Sequence, residues 1–257
     1  MPADPARKLP VPVTEAQPKS AEAIPFDLIP ETRKKTKSVL GTVADYFEIS
    51  TPNILDGDYP KSVNSYDLKD GESVTTCLEA QEGHTTNNVV LVDPANDSFA
   101  VIQGLGGTGA ARDAAKEYAK AFEEYKNPFR GQVEAEKNII KYRVHGGASY
   151  MYGKIVKGDN GEKYLWTGSL GDDVICAVYD KYGADKTRPN PDENIPLKKG
   201  DRVLIISKQM GLTPDDIFGL MVRPTQTLKP VNKAVKAIRK ATKDKPCDQA
   251  FVLMEIK

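Results

Sequence analysis

The chain has few of the residues from which many active centres are assembled. It holds two histidines, His84 and His145, and three cysteines, Cys77, Cys176 and Cys247. Thiols so few and so widely spaced exclude a disulfide scaffold and a zinc site made of paired ligands. Ser-His-Asp catalysis has little to draw on, because His145, next to Gly146-Gly147, reads as a turn residue. Net charge is missing too: 36 basic residues balance 36 acidic ones, so no overall field draws the molecule to nucleic acid or to an anionic membrane. No apolar run approaches the roughly 20 residues of a membrane-crossing helix. The opening Met1-Pro2-Ala3-Asp4-Pro5 lacks the basic flank and apolar stretch of a signal peptide, so a soluble, cytoplasmic protein is expected.

The 257 residues suffice for a core that folds unaided. Residues 1–38 carry scattered charge and repeated proline, ending in Arg33-Lys34-Lys35-Thr36-Lys37, and read as a flexible tail. Residues 39–75 mix short apolar groups with the turn clusters Asp56-Gly57-Asp58 and Lys69-Asp70-Gly71. They read as an irregular lead-in to a domain that completes the chain, 39–257.

Beyond residue 74 the pattern sharpens. Asn88-Val89-Val90-Leu91-Val92 and Ser98-Phe99-Ala100-Val101-Ile102 predict buried strands around the turn Asp93-Pro94-Ala95-Asn96-Asp97. Further strands are predicted at 139–144, 149–156, 163–170, 173–179, 202–206 and 250–256. Ala111, Ala114, Ala115, Tyr118 and Phe122 recur at helical spacing, which predicts a helix over 110–125. Helices over 213–221, opened by Thr213-Pro214, and over 229–242 follow from capping and period. Antiparallel hairpins with segregated helices make an α+β layered domain.

Gln103-Gly104-Leu105-Gly106-Gly107-Thr108-Gly109 satisfies the spacing of a dinucleotide-binding loop, but no acidic residue ends the next predicted strand to hold a ribose. A turn that lets a helix approach a sheet is the alternative. The basic residues of the last helix, Lys229 to Lys243, come without interleaved aromatics and read as a solvated face, not a nucleic-acid site.

The order of landmarks resembles the metal-dependent type 2C (PPM-type) protein phosphatases. Gly83-His84-Thr85-Thr86-Asn87-Asn88-Val89 is similar to that family's first acidic strand, and Phe99 to Gly107 to its aspartate-glycine loop. Leu170-Gly171-Asp172-Asp173 is similar to its glycine-aspartate hairpin, the run Lys199 to Thr213 to its serine-aspartate-glycine strand, and Cys247-Asp248-Gln249 to its last strand. The resemblance implies a type 2C phosphatase-like antiparallel β-sandwich flanked by helices. It also implies two Mn or Mg ions held by aspartates, with a bridging water as nucleophile.

This chain departs from that pattern where charge matters. The family's first aspartate falls at Val89, or at Asn88 with the alignment shifted by one; the second falls at Gln103, before Gly104; the third falls at Lys208. Asp248 alone matches a metal-binding carboxylate, with Asp172 and Asp173 as the possible residual ligands, and the phosphate-binding arginine falls near His84. The expectation is a catalytically degenerate domain without catalytic residues or bound metal, a pseudophosphatase that binds a protein partner such as a phosphoprotein or kinase. The alternative is an active Mn- or Mg-dependent serine/threonine phosphatase with a rearranged site. Lys208 is further expected to stand in for a metal by pairing with Asp248.

Overall fold

The computed structural model describes residues 53–55, 63–80, 86–106, 108–187, 194–245 and 247–257. The chain divides into Met1–Tyr46 and Phe47–Lys257, and every described residue lies in the second unit. The expected tail over 1–38 and the turn at Asp56-Gly57-Asp58 lie outside the described residues.

Two antiparallel sheets form the domain. The first pairs β1 (Asn53–Leu55), β4 (Asn88–Asp93), β5 (Ser98–Leu105), β6 (Gly147–Lys157), β7 (Lys163–Leu170) and β9 (Ile195–Leu197), in that order. The second pairs β2 (Val63–Asp67), β3 (Ser73–Glu79), β11 (Gln249–Glu255), β10 (Arg202–Ser207) and β8 (Val174–Tyr179). Alternation along each strand settles which side chains meet. Val90, Val92 and Val101 from the first sheet pack against Val203, Ile205 and Val252 from the second. The intervening residues point outward to helices. Val89, Leu91 and Ile102 lie under α1 (Thr108–Tyr125) and α2 (Pro128–Lys141), whereas Leu204, Ile206 and Phe251 lie under α3 (Pro214–Met221) and α4 (Val231–Thr242). Strands covered on both faces are apolar on both through their middle, which is why Val89–Val92 of β4 and Val203–Ile206 of β10 read as continuous hydrophobic runs. Among the described residues no helix is long and apolar enough to cross a membrane.

The expected strands at 88–92, 98–102, 149–156, 163–170, 173–179, 202–206 and 250–256 are present within three residues at each end, as are the three expected helices. Two expectations need correction. Residues 139–144, expected as a strand, are the last turn and exit of α2. Asn127 starts that helix by accepting from the N–H groups of Phe129 and Arg130 at 3.0 and 3.1 Å, with Pro128 in its first turn. The apolar pair Ile139-Ile140 imitates a strand, but Ile140 is 78% exposed at the helix end. The lead-in is not irregular throughout: β2 and β3 form a hairpin around Lys69-Asp70-Gly71, whose Gly71 takes a φ of 88°. Ser65, Ser73 and Thr75 point to the outer sheet surface while Thr76 sits among the inward Val74 and Leu78, so the alternation is weakly apolar and easily missed.

Candidate functional site

At one end of the sandwich β4 begins, β5 ends, β6 begins, β10 ends and β11 begins. Strand parity then places the side chains of Asn88, Gln103 and Ser149 on the inner face of the first sheet, and those of Ser207 and Asp248 on the inner face of the second. Each lies an even number of residues from an inter-sheet core residue: Val90, Val101, Met151, Ile205 and Ala250. Asn88 stands directly opposite Gln103 in the ladder, and Gln103 opposite Ser149.

These groups join the two sheets through neutral hydrogen bonds. Ser207 Oγ donates to Gln103 Oε1 at 2.7 Å, both residues being buried, and accepts from the Gln209 backbone N–H at 3.2 Å. Asn88 Nδ2 donates to Gln209 Oε1 at 3.3 Å. Ser149 Oγ donates to the Leu170 carbonyl at 2.8 Å and accepts from the Asp173 N–H at 3.1 Å, tying the β7–β8 turn to β6. At the edge of the network Asp248 Oδ2 accepts from the Asn87 N–H at 3.3 Å. The Oδ1 atoms of Asn87 and Asn88 are buried without a hydrogen-bond partner.

The expected site residues fall into distinct places. Asn88, not Val89, faces this network; Val89 is fully buried beneath α1. Gly104 gives its N–H to the Asn87 carbonyl at 2.9 Å, and a Cβ there would stand 2.1 Å from the Ala111 carbonyl oxygen. The glycine loop therefore serves close packing of α1 on the sheet, as its structural alternative held; Gly109, with open space around it, supplies no such contact. Lys208 is also displaced from its expected partner. Its Nζ meets Asp172 Oδ2 at 3.4 Å on the surface, where Asp172 is 94% exposed, so the expected Lys208–Asp248 pair is replaced by a Lys208–Asp172 pair. Asp173 acts through its backbone, its carbonyl accepting from the Lys208 N–H at 2.8 Å. His84 lies outside the described residues, and His145 is an exposed residue of the α2–β6 turn. Ser149, Ser207 and Gln209 were not anticipated in any role, although alternation from Ile205 already aims Ser207 inward.

The donor set can be tested against a pair of dications. Hard ions such as Mn and Mg take oxygen ligands, with carboxylates supplying the opposing charge. Asn88, Gln103, Ser207 and Gln209 are neutral, and most of their polar atoms are already engaged with one another. Asp248 contributes one negative charge, and no cluster of three or more His, Cys, Asp or Glu side chains able to hold a metal occurs among the described residues. This donor set does not fit a two-ion centre.

No family model and no curated protein matches the chain. Solved structures do. RsbX in complex with magnesium superposes with a TM-score of 0.59 at 14% identity, over 76% of this chain and 100% of that one. The PPM Ser-Thr phosphatase MsPP from Mycobacterium smegmatis, in complex with cacodylate, gives 0.51 at 13% identity, over 75% and 100%. The catalytic domain of the serine threonine protein phosphatase PstP, in complex with 2 manganese ions, gives 0.53 at 12% identity, over 80% and 99%. This chain has the PPM phosphatase fold. Identities this low carry the architecture, and the PPM-like sandwich positions the end network described above where strand ends from both sheets converge.

Proposed function

We propose that this chain is a non-catalytic PPM-fold module that binds a protein partner, a phosphoprotein or kinase, in a signalling role. The observation that carries the reading is the neutral bridge Ser207–Gln103 together with Asn88–Gln209, which occupies the inter-sheet end with uncharged side chains bonded to one another. A dication entering here would have to break those bonds and lose its hydration shell with one carboxylate, Asp248, to offset the cost. The PPM fold kept with its packed core, beside a charge-poor strand end, supports retention for binding.

The test is hydrolysis of an aryl phosphate by the full chain with and without Mn²⁺, alongside titration calorimetry with the same ion. No turnover above background and no tight binding are expected. Manganese-dependent turnover that disappears in Asp248→Asn would establish the alternative, an active phosphatase with a rearranged site, and overturn this reading.

A further inference from the structure

The outer face of the second sheet is covered unevenly. α3 and α4 pack over β8, β10 and β11 and reach Cys77 of β3, while β2, the edge strand, is only partly covered, with Val63 half-buried and Ser65 exposed. Between α4 and this partly covered ribbon lies a groove of about 710 Å³, floored by Val63, Ser65 and Thr75 and walled by Val231, Val235 and Lys236. That volume is in the range of sites that hold a ligand or a short peptide segment, about 300–1,000 Å³.

The charge around the groove has one sign to spare. From Lys229 to Lys243 the sequence contains six basic residues and no acidic one. The acidic groups nearby are committed: Glu255 receives Arg202 at 2.6 Å, and Glu79 receives Arg239 at 2.8 Å. Lys233, Lys236, Lys240 and Lys243 are exposed and have no ion-pair partner among the described residues. The floor is apolar to hydroxylic and the wall carries valines, so an occupant needs apolar side chains as well as negative charge. The strand at the groove's outer side has one edge unpaired among the described residues, which suits an extended chain able to hydrogen-bond to it.

We propose that the groove between α4 and the β2–β3 ribbon docks an extended acidic segment of a protein partner, apolar side chains seated between Val63 and Val235 and carboxylates meeting Lys236 and its neighbours. This surface is separate from the strand-end network, so the proposal stands or falls independently of whether that network binds metal. Nucleic acid is the competing occupant for the basic helix, but the apolar floor and the absence of aromatic side chains for base stacking favour a peptide.

The experiment is fluorescence anisotropy of a fluorescein-labelled peptide of alternating glutamate and leucine with the full chain, compared with Lys236→Glu, Ser65→Tyr, Lys208→Ala and a fluorescein-labelled single-stranded oligonucleotide. Both groove substitutions are at exposed positions, and circular dichroism would verify that each variant is folded. Peptide binding is expected to weaken at least about tenfold in Lys236→Glu, where the sign of a contact is reversed, and to fall similarly when Ser65→Tyr fills the floor. Lys208→Ala, at the other site, should leave it unchanged. The proposal is overturned if the peptide fails to bind, if it binds the two groove variants as it binds the parent, or if the oligonucleotide binds more tightly than the peptide and is insensitive to Ser65→Tyr.

Discussion

Removing one hydroxyl from the strand-end network should be costly. In Ser207→Ala the 2.7 Å bond to Gln103 disappears, and Gln103 Oε1 is left at a site where the residue is 3% exposed. An orphaned buried acceptor costs about 1–3 kcal/mol, and the cap on the Gln209 N–H at 3.2 Å is lost as well, so a destabilisation of about 2–3 kcal/mol is expected. For a domain of this size each kcal/mol lowers the melting temperature by roughly 2–4 °C, which puts the shift at about 4–12 °C. Replacing both partners, Ser207→Ala with Gln103→Leu, removes the orphan and should cost at least about 1 kcal/mol less than the sum of the single substitutions. Urea denaturation with a constant slope measures all the terms. A Ser207→Ala loss below about 0.5 kcal/mol, or strict additivity in the double variant, would refute the account of this network as a fixed inter-sheet bridge.

Three further outcomes follow from the same geometry. At the far end of the sandwich the fully buried Glu72 pairs with Lys163 across the two sheets, so Glu72→Gln should cost about 3 kcal/mol in urea denaturation, since a buried pair loses one partner. Burial raises the Asp97 carboxyl above its usual value, first among the causes, so the fold disfavours the ionised form that the unfolded chain adopts at neutral pH. Asp97→Asn, which keeps an acceptor for the Asp70 N–H and tolerates the left-handed φ of 51°, should therefore raise the melting temperature at pH 7, with the gain fading as the pH falls to the ordinary carboxylate range; a gain that persists at low pH would contradict this. Lys208→Ala breaks only an exposed 3.4 Å pair, and its effect on the melting temperature should correspond to less than about 0.5 kcal/mol.

Periodicity alone determined most of the framework. Val90, Val92, Val101, Ile205 and Val252 form apolar runs that can only be doubly covered strands, and Thr213-Pro214 opens a helix by capping chemistry that acts within a few residues. Those signals are local, so they are written in order along the chain. The same locality failed at Asn127, whose cap outweighed the strand-like Ile139-Ile140, and at β2 and β3, whose hydroxyl-rich faces carry little hydrophobic contrast.

The candidate site was legible as a set of missing charges and not as an arrangement. Sequence placed Gln103, Lys208 and Asp248 near one another but could not choose between Asn88 and Val89, because a shift of one residue exchanges the two faces of a strand. Pairing Asn88 with Gln103 in the ladder made that choice, and the meeting of Ser207 with Gln103 across 104 positions of sequence required both sheets to be packed. Lys208 shows the same dependence from the other side. Its charge was plain in the sequence, yet a short turn after β10 sends the ammonium to Asp172, and the position of that turn is set by the Asp173 carbonyl and Ser149, contacts that exist only once distant strands have come together.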